Sequence, residues 1–413
     1  MRILFVTPYP PSRIRVRGYG FLTRLRHSHE VTIVAPCSSE REMADAEALR
    51  TQGYHIVTVQ ESKRQQALRG GLALLSAQPL QAAYARSARF AQEVQRLCTQ
   101  QAFDVMHVEH LRGIAPLKGI IQEAQLPPLV WDAVDCISLL SEHALKAGAS
   151  PSVRAVALIE RRRTRRYEAE LLSQVRHCVI TSERDRQAML DLHAVERPGE
   201  TAADITIIPN GVDLEYFRPL QQERRSANIV FSGKMSYHAN VATALYLHRQ
   251  IMPLIWQQRP DATLTIVGSN PPRAIRRLAV DPRVEVTGYV DDMRPYVGRA
   301  EVMLSPMVYS VGIQNKVLEA MALSTPVVVA APAAAALSAL PGRDLLVAHS
   351  AREFAEKTLH LMGNAALRAS LGRHGREYVE RTHDWSTATE RLVAVYQQAM
   401  AAHVGTMAAS ALR

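Results

Sequence analysis

The run Val311-Gly312-Ile313-Gln314-Asn315-Lys316-Val317-Leu318-Glu319-Ala320-Met321-Ala322-Leu323 lies between two apolar stretches, Val-Met-Leu-Ser-Pro at 302–306 and Pro-Val-Val-Val-Ala at 326–330. Short apolar runs on either side of an amphipathic segment read as strand, loop, helix, strand, which is one βαβ unit. Gly312 lets the backbone approach a ligand closely. The free N–H groups of the helix start, near Asn315 and Lys316, form a seat for a phosphate, and Lys316 adds a positive charge there. Glu319 lies one turn on, on the face shared with Asn315 and Lys316, where a carboxylate can take both hydroxyls of a ribose. A diphosphate and a ribose together indicate a nucleotide sugar, so Gly312, Ile313, Gln314, Asn315, Lys316, Val317 and Glu319 are the candidate donor-binding residues.

The chain of 413 residues exceeds one ordinary core and predicts two domains. Apolar residues make up 47%, yet no run of about 18 of them could span a bilayer. The N-terminus, Met-Arg-Ile-Leu-Phe-Val-Thr-Pro, reads as a short strand and not as a secretory leader, so a cytoplasmic protein is expected. Cys37, Cys98, Cys136 and Cys178 are isolated and lack metal-ligand spacing, so they read as reduced thiols. Lys plus Arg exceed Asp plus Glu by 49 to 39, a net charge of +10, which favours an anionic partner. The excess is uneven, with clusters at Arg13, Arg15, Arg17, Arg24 and Arg26 and at Arg161–Arg163 with Arg165 and Arg166. No helix-turn-helix, zinc-finger or aromatic RNA-binding pattern accompanies them. Anionic lipid or a phosphorylated acceptor suits them better than nucleic acid.

Residues 2–7 read as a strand and 8–12 as a Pro-rich loop that carries Arg13, Arg15 and Arg17 into a helix; a second strand at 30–35 completes a Rossmann-like opening. Residues 63–100 read as helices, with an amphipathic run from Leu80 to Leu97. The apolar stretch from Leu68 to Leu80, flanked by Lys63, Arg64 and Arg69, suits either the core or a membrane surface. Later strands end at Glu109 and His110, at Asp132 and Asp135, and at Thr181-Ser182-Glu183. Glu109 and His110 can each accept or position a proton. The basic helix around 154–170 carries interleaved acids and reads as a solvated face.

The loop at 311–317, the helix Leu318-Glu319-Ala320-Met321-Ala322 and the following Pro-Val-Val resemble the donor-sugar motif of retaining glycosyltransferases of family four. The resemblance implies an α/β protein of GT-B fold, two Rossmann-like doubly wound domains facing an interdomain cleft. In that family two glutamates with seven residues between them bracket the motif; the second falls on Glu319 and the first on Val311. Further marks follow in order. Asp104 to His110 resembles the family's Asp-Val-x-His-x-His strand, with Glu109 in the second His slot and His110 beside it. Ile-Pro-Asn-Gly-Val-Asp at 208–213 resembles the signature at the entry to the second domain. Gly233 and Lys234 stand where relatives have Gly-Arg, the Arg clamping the donor diphosphate, while the companion Lys slot holds Ala239. Gly268 ends a strand at the crevice, and Tyr289, just after Gly288, is placed to receive the base through its backbone.

The resemblance divides the chain into an acceptor-side domain at 1–204, a nucleotide-sugar domain at 205–380, a helix at 381–400 that crosses back to the first domain, and a frayed tail at 401–413. The expected reaction is transfer of a sugar from a nucleoside diphosphate sugar, of UDP or GDP type, to an acceptor hydroxyl with retention, in polysaccharide, glycolipid or glycoconjugate synthesis. Epimerisation or hydrolysis of the donor, or sensing of it without catalysis, are the alternatives. Glu109, His110, Lys234 and Gln314 are the expected catalytic groups. Arg13, Arg15, Arg17 and Asp135 lie on the acceptor or phosphate side. No catalytic metal and no further cofactor are expected, since neither Asp132-x-x-Asp135 nor Asp291-Asp292 is the Asp-x-Asp of metal-dependent transferases. The acceptor is a glycan or a lipid-linked hydroxyl, with peripheral contact with an anionic membrane as a further expectation.

Overall fold

A computed structural model describes residues 1–73, 76–123, 126–139, 151–221, 223–307 and 313–411. Val311 and Gly312 lie outside the described residues, as do Leu74 and Leu75. The chain forms two units, Met1–Pro209 with Trp385–Arg413, and Asn210–Asp384.

The first unit contains β1 (Arg2–Val6), β2 (Glu30–Cys37), β3 (His55–Gln60), β4 (Val105–Glu109), β5 (Leu129–Val134), β6 (His177–Ile180) and β7 (Asp204–Ile207). They form one parallel sheet in the order β3-β2-β1-β4-β5-β6-β7. The strands are short apolar runs because helices cover both faces, each with its own apolar layer. The strand order reverses between β1 and β4, the position where open α/β sheets leave a crevice at their carboxyl ends. β7 pairs with β6, so the strand expected to open the second domain closes the first sheet instead. The division falls after Pro209, five residues later than expected.

Residues 63–100 form three helices, Lys63–Ala73, Leu80–Ala85 and Ala88–Gln100, in place of one run from Leu80 to Leu97. The break follows from Ser87, whose side chain accepts from the Phe90 N–H and starts a new helix. The helix Trp385–Ala411 lays Trp385, Leu392, Val395, Tyr396 and Ala399 into the layer that holds Phe5, Phe21 and Leu22. Gly20 makes room for it: a Cβ there would sit 2.2 Å from the Trp385 ring. This helix continues to Ala411, past the tail expected from 401, because the alanine-rich sequence has high helix propensity.

The second unit contains β8 (Arg225–Ser232), β9 (Thr263–Val267), β10 (Val284–Gly288), β11 (Ala300–Ser305), β12 (Val327–Ala330) and β13 (Leu346–Ala348). This sheet is also parallel, in the order β10-β9-β8-β11-β12-β13, and lies between two apolar layers. Its reversal falls between β8 and β11. The helix Asn315–Ala322 follows β11 and buries Val317, Leu318, Ala320 and Met321 against the sheet.

Candidate functional site

In the second unit the groups gather at the carboxyl ends of β8 and β11. Gly233 follows β8 with φ +148°, and Gly268 follows β9 with φ +156°, backbone conformations that side chains rarely allow. A Cβ on Gly268 would lie 1.8 Å from the Gly233 carbonyl oxygen, so the two backbones pack directly on each other. The Gly233 N–H donates to the Val267 carbonyl (2.9 Å) and the Met235 N–H to Ser269 (2.9 Å), which fixes this turn.

Lys316, in the first turn of the helix Asn315–Ala322, reaches the same place. Its Nζ donates to Asn240 Oδ1 at 2.6 Å, approaches Met307 Sδ at 3.6 Å and lies 4.7 Å from the Phe231 ring centre. A Cβ added to Gly233 would be only 3.2 Å from Lys316 Nζ. Asn240 also donates from Nδ2 to the Lys234 carbonyl (2.9 Å), so one amide ties the lysine to the glycine turn. Burial lowers the Lys316 ammonium to about 8, against the opposing pull of Glu319. Burial raises Glu319 to about 7, with Lys316 acting in the other direction. An arriving phosphate would hold the lysine in its charged form.

The remaining candidates of this unit are arranged less uniformly. Asn315 Oδ1 accepts from Asn210 Nδ2 at 3.1 Å. Gln314 is half-buried at the N-cap position, and Ile313 and Val317 are packed in the core. Tyr289 is 63% exposed beyond β10. The Lys234 side chain is exposed, whereas Ala239 is buried in the companion lysine slot. Lys316 therefore stands beside the glycine turn, and Lys234 contributes its backbone carbonyl to the same network.

In the first unit a buried polar cluster sits below the ends of β4 and β5, where Glu109 and Asp132 are register partners. Arg17 Nε donates to Asp132 Oδ2 at 2.6 Å, and Arg17 Nη1 donates to the Ile208 carbonyl at 3.0 Å. Arg17 was expected on a basic loop on the acceptor or phosphate side. It is instead buried, because the helix Val16–Leu25 turns it inward to neutralise a fully buried carboxylate. Arg15 is half-buried, donates to Glu42 (3.0 Å) and the Pro10 carbonyl (3.2 Å), and covers the Tyr9 ring; Arg13 is exposed.

Glu109 is buried, and its Oε2 has no hydrogen-bond partner among the described residues. Burial, reinforced by the charge of Asp132, raises its carboxyl to about 8. It carries a proton at neutral pH and can donate a hydrogen bond. His110 has φ +65° and accepts from the Arg112 N–H at Nδ1 (3.1 Å); burial lowers it to about 3, so it is a neutral imidazole. Val134, at the end of β5, has φ +69°, which is rare for a β-branched residue. Two such residues at the ends of neighbouring strands mark strain of the kind that collects at ligand sites. Asp135 follows directly, is raised to about 7 by burial, and accepts from Thr181 at 3.1 Å.

Sequence reasoning missed Asn240, Met307, Asp132 as the partner of Arg17, and the hydrogen bond between Tyr396 Oη and His107 Nδ1 (2.9 Å). Asn240 left one trace, as the single amide in the apolar helix segment Ala-Asn-Val-Ala at 239–242. Among the described residues no group of three or more His, Cys, Asp and Glu is placed to hold a metal ion. Among the same residues no helix is long and apolar enough to cross a membrane.

Two parallel doubly wound sheets with these strand orders define the GT-B fold of glycosyltransferases. Sucrose-phosphate synthase from Thermosynechococcus elongatus superposes with a TM-score of 0.68, at 16% identity, over 97% of this chain and 100% of that one. HepE from Anabaena, in complex with UDP, gives 0.66 at 13% identity, over 96% of this chain and 100% of that one. Residues 226–364 match the family model described as "Glycosyl transferases group 1". The GDP-mannose-dependent monoacylated alpha-(1-6)-phosphatidylinositol monomannoside mannosyltransferase of Corynebacterium glutamicum is 28% identical over 215 residues, which are 46% of this chain and 55% of the relative. The chain thus spans about half the length of the curated relative it matches. Together these matches support a glycosyltransferase.

Proposed function

We propose that the chain transfers a sugar from a nucleoside diphosphate sugar to an acceptor hydroxyl with retention of configuration. The observation that carries this reading is the convergence of Gly233, Asn240 and Lys316 at the reversal of the second sheet, where a helix N-terminus offers free N–H groups. On this reading the diphosphate rests against the first turn of the helix Asn315–Ala322, with Lys316 supplying charge and Glu319 taking the ribose. The bond between the sugar and the diphosphate oxygen breaks as the acceptor oxygen attacks from the same face, and the acceptor proton passes to the departing diphosphate. Lys316 and the backbone N–H groups stabilise the charge that develops there. Gln314 supplies amide hydrogen bonds to the sugar, and Glu109, carrying its proton, is a hydrogen-bond donor of the first unit.

The named activity of the Corynebacterium relative supports GDP-mannose as the first donor to test and a lipid-linked hydroxyl as the first acceptor. The exposed Leu68 and Leu72, next to Lys63 and Arg64, support peripheral contact with an anionic membrane. Incubation with UDP-, GDP- and ADP-sugars, with and without lipid and glycan acceptors, tests the assignment. Nucleotide release strongly accelerated by an acceptor, with a product of unchanged anomeric configuration, is the expected result. Release indifferent to every acceptor would indicate hydrolysis, and binding without turnover would indicate a sensor; either outcome would overturn the transfer reading.

A further inference from the structure

The second unit holds a cavity of about 560 Å³ whose lining includes none of Gly233, Asn240, Lys316 and Glu319, the groups of the proposed diphosphate and ribose seat. Its rim at Arg225 begins β8, whereas Gly233 follows the end of that strand. β8 is bulged at Ala227 (φ +54°), and the step from Arg225 to Ile229 matches only that from Ala300 to Val302 on β11, so the two ends lie roughly 20 Å apart. The cavity exists because the helix Arg294–Gly298, which flanks it, has five residues and extends only about 7.5 Å along the sheet.

The strands below carry a matching signature. A parallel sheet covered on both faces normally reads as continuous apolar sequence. Here one face of β8 to β10 presents Asn228, Thr265 and Glu285, while the alternate residues Ile229, Leu264, Ile266 and Val284 are buried in the opposite layer. Asn228 and Thr265 are themselves 3% and 2% exposed, so they form a polar floor and not a solvated edge.

The floor is preorganised. Asn228 Nδ2 donates to Thr263 and Thr265, both at 3.0 Å, Thr265 Oγ1 donates to Glu285 Oε2 at 3.4 Å, and Arg225 Nη1 lies 3.6 Å from the same carboxylate oxygen. Charges around the cavity nearly cancel: Arg225 and Arg299 face Glu285 and Asp291, while Asp292 is already paired with Arg294 at 2.7 Å. Such a lining offers no net field to a phosphate or a metal ion. It offers fixed donors and acceptors beside one aromatic ring, Tyr296, within the size range of small-ligand sites.

We propose that this cavity is a carbohydrate subsite, separate from the donor seat, that takes a neutral hexose unit of a glycan. The hydroxyls of such a unit exchange hydrogen bonds with Glu285, Arg225 and Thr265, and its apolar face lies towards Tyr296. The assignment stands on the cavity and does not depend on the transfer reaction, so it is tested by binding with no donor present.

Saturation-transfer NMR and calorimetry on the full chain, with maltotriose, α-1,6-mannotriose and N,N′,N″-triacetylchitotriose as probes, give the readout. At least one trisaccharide binds, and excess UDP or GDP does not displace it. Glu285→Ala, at a half-exposed position that folding tolerates, weakens that binding by about 10-fold or more, the effect of losing hydrogen bonds to a charged group. Thr265→Val weakens it in the same direction. Absence of binding for all three probes, affinity within twofold of the parent in Glu285→Ala, or displacement by either nucleotide would overturn the proposal.

Discussion

Replacing Glu109 by Gln tests whether that carboxyl is held neutral. Its ordinary value is 4.5, and burial beside Asp132 raises it to about 8 in the folded protein. Between these values the folded state keeps a proton that the unfolded state releases, so stability falls as pH rises. The contribution is fully present below about pH 4.5 and lost by about pH 8. A difference of 3.5 in pKa corresponds to about 5 kcal/mol as an upper limit, at 1.36 kcal/mol per unit. Gln cannot ionise and escapes this loss. Asp135, Glu168 and Glu319, each raised to about 7, titrate in both proteins and cancel in the comparison. Urea melts followed by fluorescence suit the purpose, because Trp131 and Trp385 are both buried in the first unit. Glu109→Gln is expected to gain several kcal/mol on the parent between pH 5 and pH 8. Parallel stability curves for the two proteins over that range would refute the neutral carboxyl. Activity gives a second reading: Gln retains a donor, so Glu109→Gln keeps turnover within about 10-fold of the parent while Glu109→Ala falls further. Equal losses in the two variants would assign Glu109 the role of a base.

Lys316→Ala is expected to weaken UDP or GDP binding by about 10- to 150-fold, the effect of one charged hydrogen bond, and Asn240→Ala by less, as measured by calorimetry; unchanged affinity in both would place the diphosphate elsewhere. Gly268→Ala forces a Cβ into the Gly233 carbonyl, so nucleotide binding is lost and the thermal midpoint of the second unit drops; a variant that melts and binds like the parent would contradict the packed turn. Leu68→Asp with Leu72→Asp is expected to abolish flotation with phosphatidylserine vesicles, and salt should weaken the parent's binding as the Debye length falls below about 8 Å. No flotation of the parent at any salt concentration would remove the membrane contact.

The parts of the fold legible in the sequence are those set by local pattern. The apolar runs at 302–305 and 327–330, with an amphipathic segment between them, gave the βαβ unit because strand and helix periodicity act over a few residues. Long-range pairs left no such trace. Arg17 meets Asp132 across 115 positions, Lys316 meets Asn240 across 76, and His107 meets Tyr396 across 289. Arg13, Arg15 and Arg17 looked alike as a basic loop, and only the path of the helix that begins at Val16 separates an exposed cation from a buried one. At Glu109 the residue type pointed to proton chemistry, but its protonation state depends on burial and on Asp132, which sequence spacing does not reveal.

The division of the first unit into two stretches of chain has a consequence for folding. Phe21, His107 and the rest of that apolar layer obtain their cover from residues 385–399, which the ribosome makes only after all of Asn210–Asp384. The second unit is continuous and can finish folding first, at low loop-closure cost. The first must wait, exposing an aromatic surface throughout the synthesis of its neighbour, which makes that interval the one in which nascent chains are most prone to aggregate. Its last helix then closes a loop of about 175 residues as a late, slow event.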